Sequence, residues 1–322
     1  MRRVMVIRKS SLEKIKKPKI LVIGGTGFIG HHIVRKAIKK NWIVESVSLR
    51  KPSQQKKIPN VKYITLDLKN CSETESYEWP EYDYIINLGG YIKHDLFKNG
   101  GIDLIEQHFY SLLNLIKSLP RKKIKRFIQI GSSDEYGDNL SPQTESQREN
   151  PISPYSLGKV SSTHFLQMLY KTEKFPAVIL RLFLTYGPGQ STDRFIPQVI
   201  LGCLNSKSFP VSEGKQLRNF CYIDDTVDAI FAALVKKGIS GEIFNVGSKE
   251  PVQIKNIIFQ IRKIIGKGDP LLGNIKYREG ENMSLYPNIY KIKNILNWEP
   301  KIKLDVGLKK TINWYKKNYK NL

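Results

Sequence analysis

The chain has 322 residues, 40% of them hydrophobic, and sets 53 lysines and arginines against 29 acidic residues, a formal net charge of +24. It contains no apolar run near the roughly eighteen residues that a transmembrane helix needs, so no membrane partner is expected. Cys71, Cys203 and Cys221 are widely spaced and odd in number, which excludes a disulfide framework or a metal-ligand pattern and fits a reducing cytoplasm. The lysines are scattered among isoleucines and asparagines, with no basic stretch interleaved with stacking aromatics. The charge therefore reads as a solvated surface that attracts anionic substrates, not as a nucleic-acid footprint.

Residues 1–18 form a basic extension whose apolar run, residues 4–7, is too short for a signal-peptide core. Residues 19–23 are apolar and are followed at once by Gly24-Gly25-Thr26-Gly27-Phe28-Ile29-Gly30 and an amphipathic segment. Strand, glycine turn and helix in that order are the context of a dinucleotide site. Gly24 and Gly27 allow a tight turn against a pyrophosphate, Phe28 and Ile29 open the helix whose N-terminus faces its charge, and Gly30 lets helix and strand pack closely.

A second strand, residues 43–49, leads into Arg50-Lys51, where a fold choosing NAD usually places an acid against the ribose 2′-hydroxyl. A guanidinium at Arg50 suits a 2′-phosphate, which favours NADPH and leaves NAD as the alternative; Arg50 also reads as the start of an exposed loop. Further strands are expected at 61–66, 84–88, 126–130 and 177–183. Asp67 and Leu68 follow the third, and Leu88 and Gly89 close the fourth, so all four are expected at the cofactor. Strands alternating with helices, among them one over 102–119, predict an α/β fold with a doubly wound, Rossmann-like parallel sheet.

Residues 131–159 hold the chemistry. Ser153 before Pro154 is a helix start, an N-cap hydroxyl followed by proline at the first helical position. Tyr155 then lies in the first turn and Lys159 on the same face four residues on, an arrangement in which the ammonium favours phenolate over phenol. Ser132 offers a hydroxyl to orient a carbonyl or alcohol oxygen beside that tyrosine. Arg218 and Arg278 stand in loop-like stretches and are candidates to clamp a diphosphate, and Lys93 and His94 are candidates for a sugar pocket.

With these pieces in place the chain resembles the extended short-chain dehydrogenase/reductases of the NAD-dependent epimerase/dehydratase family, which act on nucleotide sugars. The resemblance rests on Gly24-x-x-Gly27-x-x-Gly30, Ser132 with Tyr136-Gly137, Tyr155-x-x-x-Lys159, Arg181 through Tyr186-Gly187-Pro188-Gly189, Arg218-Asn219-Phe220, Tyr222-Ile223-Asp224-Asp225, Asn245-Val246-Gly247 and Asn297-Trp298-Glu299-Pro300. It implies Ser132, Tyr155 and Lys159 as the catalytic set, with Ser133 the fallback for Ser132 and Lys159 also at the nicotinamide ribose. It implies Ser133, Asp134, Arg218 and Arg278 at the substrate, and a homodimer formed through the helices at 102 and 154. Residues 19–183 are then mainly the cofactor domain. Residues 184–322 are mainly a smaller α/β substrate domain, some of whose elements return to the first.

Departures from the pattern bear on the reaction. Dehydratases of the family carry an Asp-Glu pair directly after the catalytic threonine; here those slots are Ser133 and Asp134, and Asp134-Glu135 restores the pair only if Ser133 is the catalytic residue. Leu184 stands where many members have an asparagine that touches the nucleotide, and His108 falls near another such asparagine. The expectation is an NADPH-dependent reductase of a nucleotide-activated 4-keto-6-deoxyhexose, with a 4-epimerase, then a 4,6-dehydratase, as alternatives. A non-catalytic RNA-binding protein on this fold is the remote one.

Overall fold

The computed structural model describes residues 17–93, 95–206, 208–277 and 281–318, so nearly all of the basic extension lies outside it. Six apolar runs form parallel strands β1 (Lys19–Ile23), β2 (Ile43–Ser48), β3 (Val61–Thr65), β4 (Tyr84–Asn87), β5 (Arg126–Ser132) and β6 (Ala177–Leu182). A seventh strand, Ile243–Val246, comes back from the C-terminal half and pairs with β6. Every residue of β5 and β6 is buried, as in strands covered on both faces, the polar Arg126, Gln129, Ser132 and Arg181 among them.

The sheet order is Ile243–Val246, β6, β5, β4, β1, β2, β3, all parallel. The chain runs outward from β1 in one direction to β3 and then returns to β4 on its other side. Ile23 at the end of β1 thus lies opposite Val47 on one flank and Asn87 on the other. That reversal opens a crevice at the carboxyl ends of the strands, where such sheets hold ligands.

Helices α1 (Phe28–Lys39), α2 (Cys71–Ser76), α3 (Gly101–Ile105), α4 (Ser111–Ser118) and α5 (Pro154–Glu173) pack on this sheet. Alternate residues of β1 point to opposite faces, so Ile20 and Val22 join Ile33, Val34 and Ala37 of α1 in one core. Leu21 and Ile23 join Leu112, Leu115 and Ile116 of α4 in the other. The helix predicted over 102–119 is continuous, but a π-helical turn, Glu106–Tyr110, is inserted between α3 and α4. At Gly158 a Cβ would stand 3.1 Å from that of His108 in this turn, so the missing side chain lets α5 approach closely.

After β6 the chain builds smaller sheets. Leu184–Tyr186 pairs with Phe220–Tyr222, and Leu217–Arg218 is flanked by Val252–Gln253 and Ser284–Leu285. Helices Phe195–Leu204 and Ile254–Ile265 pack together over these strands, whereas helix Ile223–Val235 packs on α1 and β5.

Candidate active site

The loop between β1 and α1 is shaped by its glycines. Gly24 has φ of 76°, and a Cβ at Gly30 would overlap the Gly24 carbonyl oxygen, so the turn closes this tightly only without side chains. Gly27 is the N-cap of α1 and supplies no side-chain cap, which leaves the helix N-terminus open to an anion. Together with the carboxyl ends of β2, β3 and β4 the loop encloses a cleft of about 440 Å³. Gly24, Gly27, Arg50, Asp67, Leu68, Leu88 and Gly89 all line it, while Phe28 and Ile29 form the first turn of α1. These residues fit a dinucleotide, with glycines where a pyrophosphate would rest and an apolar floor beneath.

Three features of this cleft were not read from the sequence. β2 ends on Ser48, whose hydroxyl accepts a hydrogen bond from Thr26 at 3.0 Å, so a serine and not Arg50 holds the strand terminus. Asn87 at the end of β4 donates to Gln129 and accepts the Gly89 N–H, both at 2.9 Å, and so fixes the floor. Gln107 and Ser111 reach the cleft from the π-turn and α4.

β5 runs two residues further than expected, through Ser132, and a short 3-10 turn, Ser133–Tyr136, follows. Ser132 caps that turn: its hydroxyl accepts the Asp134 N–H at 3.1 Å, and its own N–H donates to Glu135 Oε1 at 2.9 Å. Glu135 is fully buried, and its other oxygen accepts Thr163 Oγ1 at 2.8 Å and Arg181 Nε at 2.9 Å. Asp134 is half-buried; its charge acts with that of Glu135 on Tyr155 and Lys159, and it also acts on Arg218. Glu135 is thus tied into the interior by three donors, whereas Asp134 keeps a partly exposed carboxyl.

Helix α5 begins as predicted, with the Ser153 hydroxyl accepting the Ser156 N–H and Pro154 in first position. Tyr155 and Lys159 share its buried face, and the Lys159 ammonium lies 5.8 Å from the centre of the Tyr155 ring. That ammonium donates to the Ile130 carbonyl at 2.8 Å. Burial, and next the Asp134 charge, hold the Tyr155 pKa above the usual phenol range, against the pull of a hydrogen bond with Ser132. The helix-face reading expected the opposite direction. Burial also lowers Lys159 to about 8, opposed by Glu135 and Asp134.

His108, from the π-turn, is buried with its ring edge-on to Tyr155, centroids 4.9 Å apart at 85°. A second hollow of about 290 Å³ is lined by Phe195, Phe209, Ile254 and Ile258, and also by Arg218 paired to Glu281. Burial lowers the Arg218 pKa, opposed by Glu281. Arg278 and His94 lie outside the described residues, and Lys93 is exposed beside Asp95. Among the described residues no cluster of acidic, histidine and cysteine side chains is arranged to hold a metal ion.

Comparison with known proteins places this geometry. The chain is 28% identical over 320 residues to human dTDP-D-glucose 4,6-dehydratase, covering 94% of this chain and 91% of the relative. It is 27% identical to the dTDP-glucose 4,6-dehydratase of Haemophilus influenzae, covering 92% and 97%. Among solved structures, UDP-glucuronic acid 4-epimerase from Bacillus cereus, bound to UDP-glucuronic acid and NAD, superposes with a TM-score of 0.82 at 28% identity, covering 94% of this chain and all of that one. UDP-glucose 4-epimerase from Thermotoga maritima shares the fold with a TM-score of 0.87 at 24% identity, covering 94% and 99%. The model of the NAD-dependent epimerase/dehydratase family matches residues 20–247, the span that carries the glycine loop, the Ser132 turn and the Tyr155 helix, and the chain belongs to that family.

Proposed function

We propose that this protein is an NAD(P)-dependent enzyme acting on a nucleotide-diphosphate sugar, and that it reduces a 4-keto-6-deoxyhexose with NADPH as the preferred cofactor. The observation that carries the reductive reading is the ribose end of the cleft. β2 ends on Ser48 and Arg50 follows two residues on, so the position where an acid selects NAD carries a neutral hydroxyl beside a cation. Glu135 argues against dehydration: a residue that holds a backbone N–H, a threonine and an arginine in the interior is not free to work as the second carboxyl of an acid–base pair.

A bound nicotinamide would supply the hydride for the C4 ketone. The rest falls to the chain's own side chains. Tyr155, kept a phenol by burial, is the proton donor to the nascent alkoxide, and Ser132, hydrogen-bonded to it, orients the same oxygen. Lys159, whose ammonium is held between Ile130 O and the Tyr155 ring, stabilises the phenolate left behind. Ser133 and Asp134 serve the sugar, while Arg218 exchanges Glu281 for the diphosphate, with Arg278 as its partner in that role. Ile102, Tyr110, Leu157 and Met168 are exposed on the α3–α4 and α5 helices and support a homodimer formed through these helices.

Conversion to the 4-epimer is the second reading, favoured by the 28% identity to the Bacillus cereus epimerase over its whole length. Net redox separates the two. The purified protein is expected to consume NADPH stoichiometrically with a dTDP- or UDP-4-keto-6-deoxyhexose, and Tyr155→Phe to lose roughly 10²- to 10⁴-fold in turnover while still binding cofactor. Interconversion of sugars without NADPH consumption would overturn the reductase reading, and near-full turnover in Tyr155→Phe would remove the proton donor.

A further inference from the structure

His108 is held by both halves of the candidate site. Its Nε2 lies 3.0 Å from the Tyr91 carbonyl oxygen, which can only accept, so Nε2 carries the proton. Burial, reinforced by the Lys159 charge and opposed by the Tyr91 and Gly89 backbone, lowers its pKa to about 3, so the ring is neutral. Nδ1 is buried and makes no hydrogen bond of its own. One side of the ring lies against Gly90, where a Cβ would overlap three of the ring atoms and where φ is 92°. Its edge contact with Tyr155 completes the arrangement.

Gly89, Gly90 and Tyr91 are all walls of the cofactor cleft. Tyr155 carries the candidate proton. His108 both hydrogen-bonds the 89–91 turn and packs against the Tyr155 ring. The π-turn is what brings it there, and Ser162 of α5 donates to the His108 carbonyl at 2.8 Å, tying the turn to the helix that bears Tyr155.

We propose that His108 is a positioning residue whose neutral imidazole couples the 89–91 wall of the cofactor cleft to the ring of Tyr155, its N–H setting the wall and its edge setting the phenol. The second half rests on Tyr155 as the proton donor; the first does not. The two functions of the ring separate by substitution. His108→Phe keeps a flat ring against Tyr155 and Gly90 but removes the donor to Tyr91 O. His108→Gln places an amide N–H where Nε2–H was and removes the ring.

The test is fluorescence titration of NADPH and NADH, run beside steady-state turnover with a dTDP- or UDP-4-keto-6-deoxyhexose and thermal melting. In His108→Phe the cofactor Kd is expected to rise roughly tenfold, the size of one buried hydrogen bond, with a smaller loss of about threefold in kcat. In His108→Gln the loss falls on kcat, roughly tenfold, with Kd raised no more than about twofold. Equal losses of Kd and kcat in both variants, or no change in either, would overturn the coupling, because a purely structural side chain has no reason to divide its effects this way. If His108→Phe does not fold, His108→Gln decides: a loss of kcat with Kd retained supports the assignment, and a loss of Kd with kcat retained refutes it. Cofactor titration needs no sugar, so the N–H arm is decided even if the protein reduces no 4-keto sugar.

Discussion

The sharpest discrimination between reactions is a stability measurement on Glu135→Gln. In the native protein Glu135 and Arg181 are both fully buried and bonded at 2.9 Å, with Ser132 N–H and Thr163 Oγ1 as the other donors to the same carboxylate. A glutamine retains one acceptor oxygen, enough for the Ser132 N–H, but turns an NH2 towards the Arg181 Nε–H. The change thus removes a charge partner and sets two donors face to face. Breaking a buried ion pair from one side costs about 3–5 kcal/mol. Arg181 keeps Glu149 at 2.5 Å, which places the expectation at the lower end, about 3 kcal/mol.

For a chain of this size each kcal/mol is worth about 2 °C, so Tm is expected to fall by roughly 6 °C, read by differential scanning fluorimetry and checked by urea unfolding. Asp134→Asn, at the partly exposed carboxyl of the same turn, is expected to melt within about 2 °C of the native protein and to lose turnover instead. Were Glu135 the second carboxyl of a dehydratase pair, the pattern would invert. Glu135→Gln would melt normally and abolish water elimination, and that result would refute the reasoning.

Two further predictions concern the cofactor. Ser48→Asp restores an acid at the end of β2, and is expected to shift the ratio of NADPH to NADH affinity at least roughly tenfold towards NADH; an unchanged ratio would show that the ribose end is read elsewhere. Lys159, lowered to about 8, is charged below that pH and neutral above it, so affinity for the anionic cofactor is expected to fall about five- to tenfold as pH rises from 7 to 9.5. Lys159→Met should bind weakly at both pH values with no such step, and a step that survives the substitution would assign the ionisation to another group.

Much of the fold could be read in advance because its strands are buried on both faces. A run such as Ala177–Leu182 leaves no choice of face to infer, and expected strand ends fall within one or two residues of those observed. The glycine loop was legible for a similar reason: a positive φ demands Gly24, and the close approach of the Gly24 carbonyl demands Gly30. The direction of the Asp134-Glu135 pair was not. Successive residues of a 3-10 turn point about 120° apart, so one carboxyl must leave the face that the other occupies. Which one turns inward depends on Arg181 and Thr163, 46 and 28 residues away, and on Gly131, whose missing Cβ leaves room for Glu135 Oε1 2.5 Å from where that carbon would stand.

Tyr155 is illegible for a different reason. The sequence places Lys159 one helical turn away, and in water that spacing would favour the phenolate. In the folded protein the ammonium is engaged by Ile130 O, and the phenol is enclosed by His108 on one side and faced by the Asp134 carboxylate on another. Desolvation of a phenolate next to a carboxylate outweighs an ammonium whose charge is already shared, and the pKa rises. The protein by itself thus holds Tyr155 as an acid. That is the state in which a tyrosine that donates a proton to a nascent alkoxide must start its turnover.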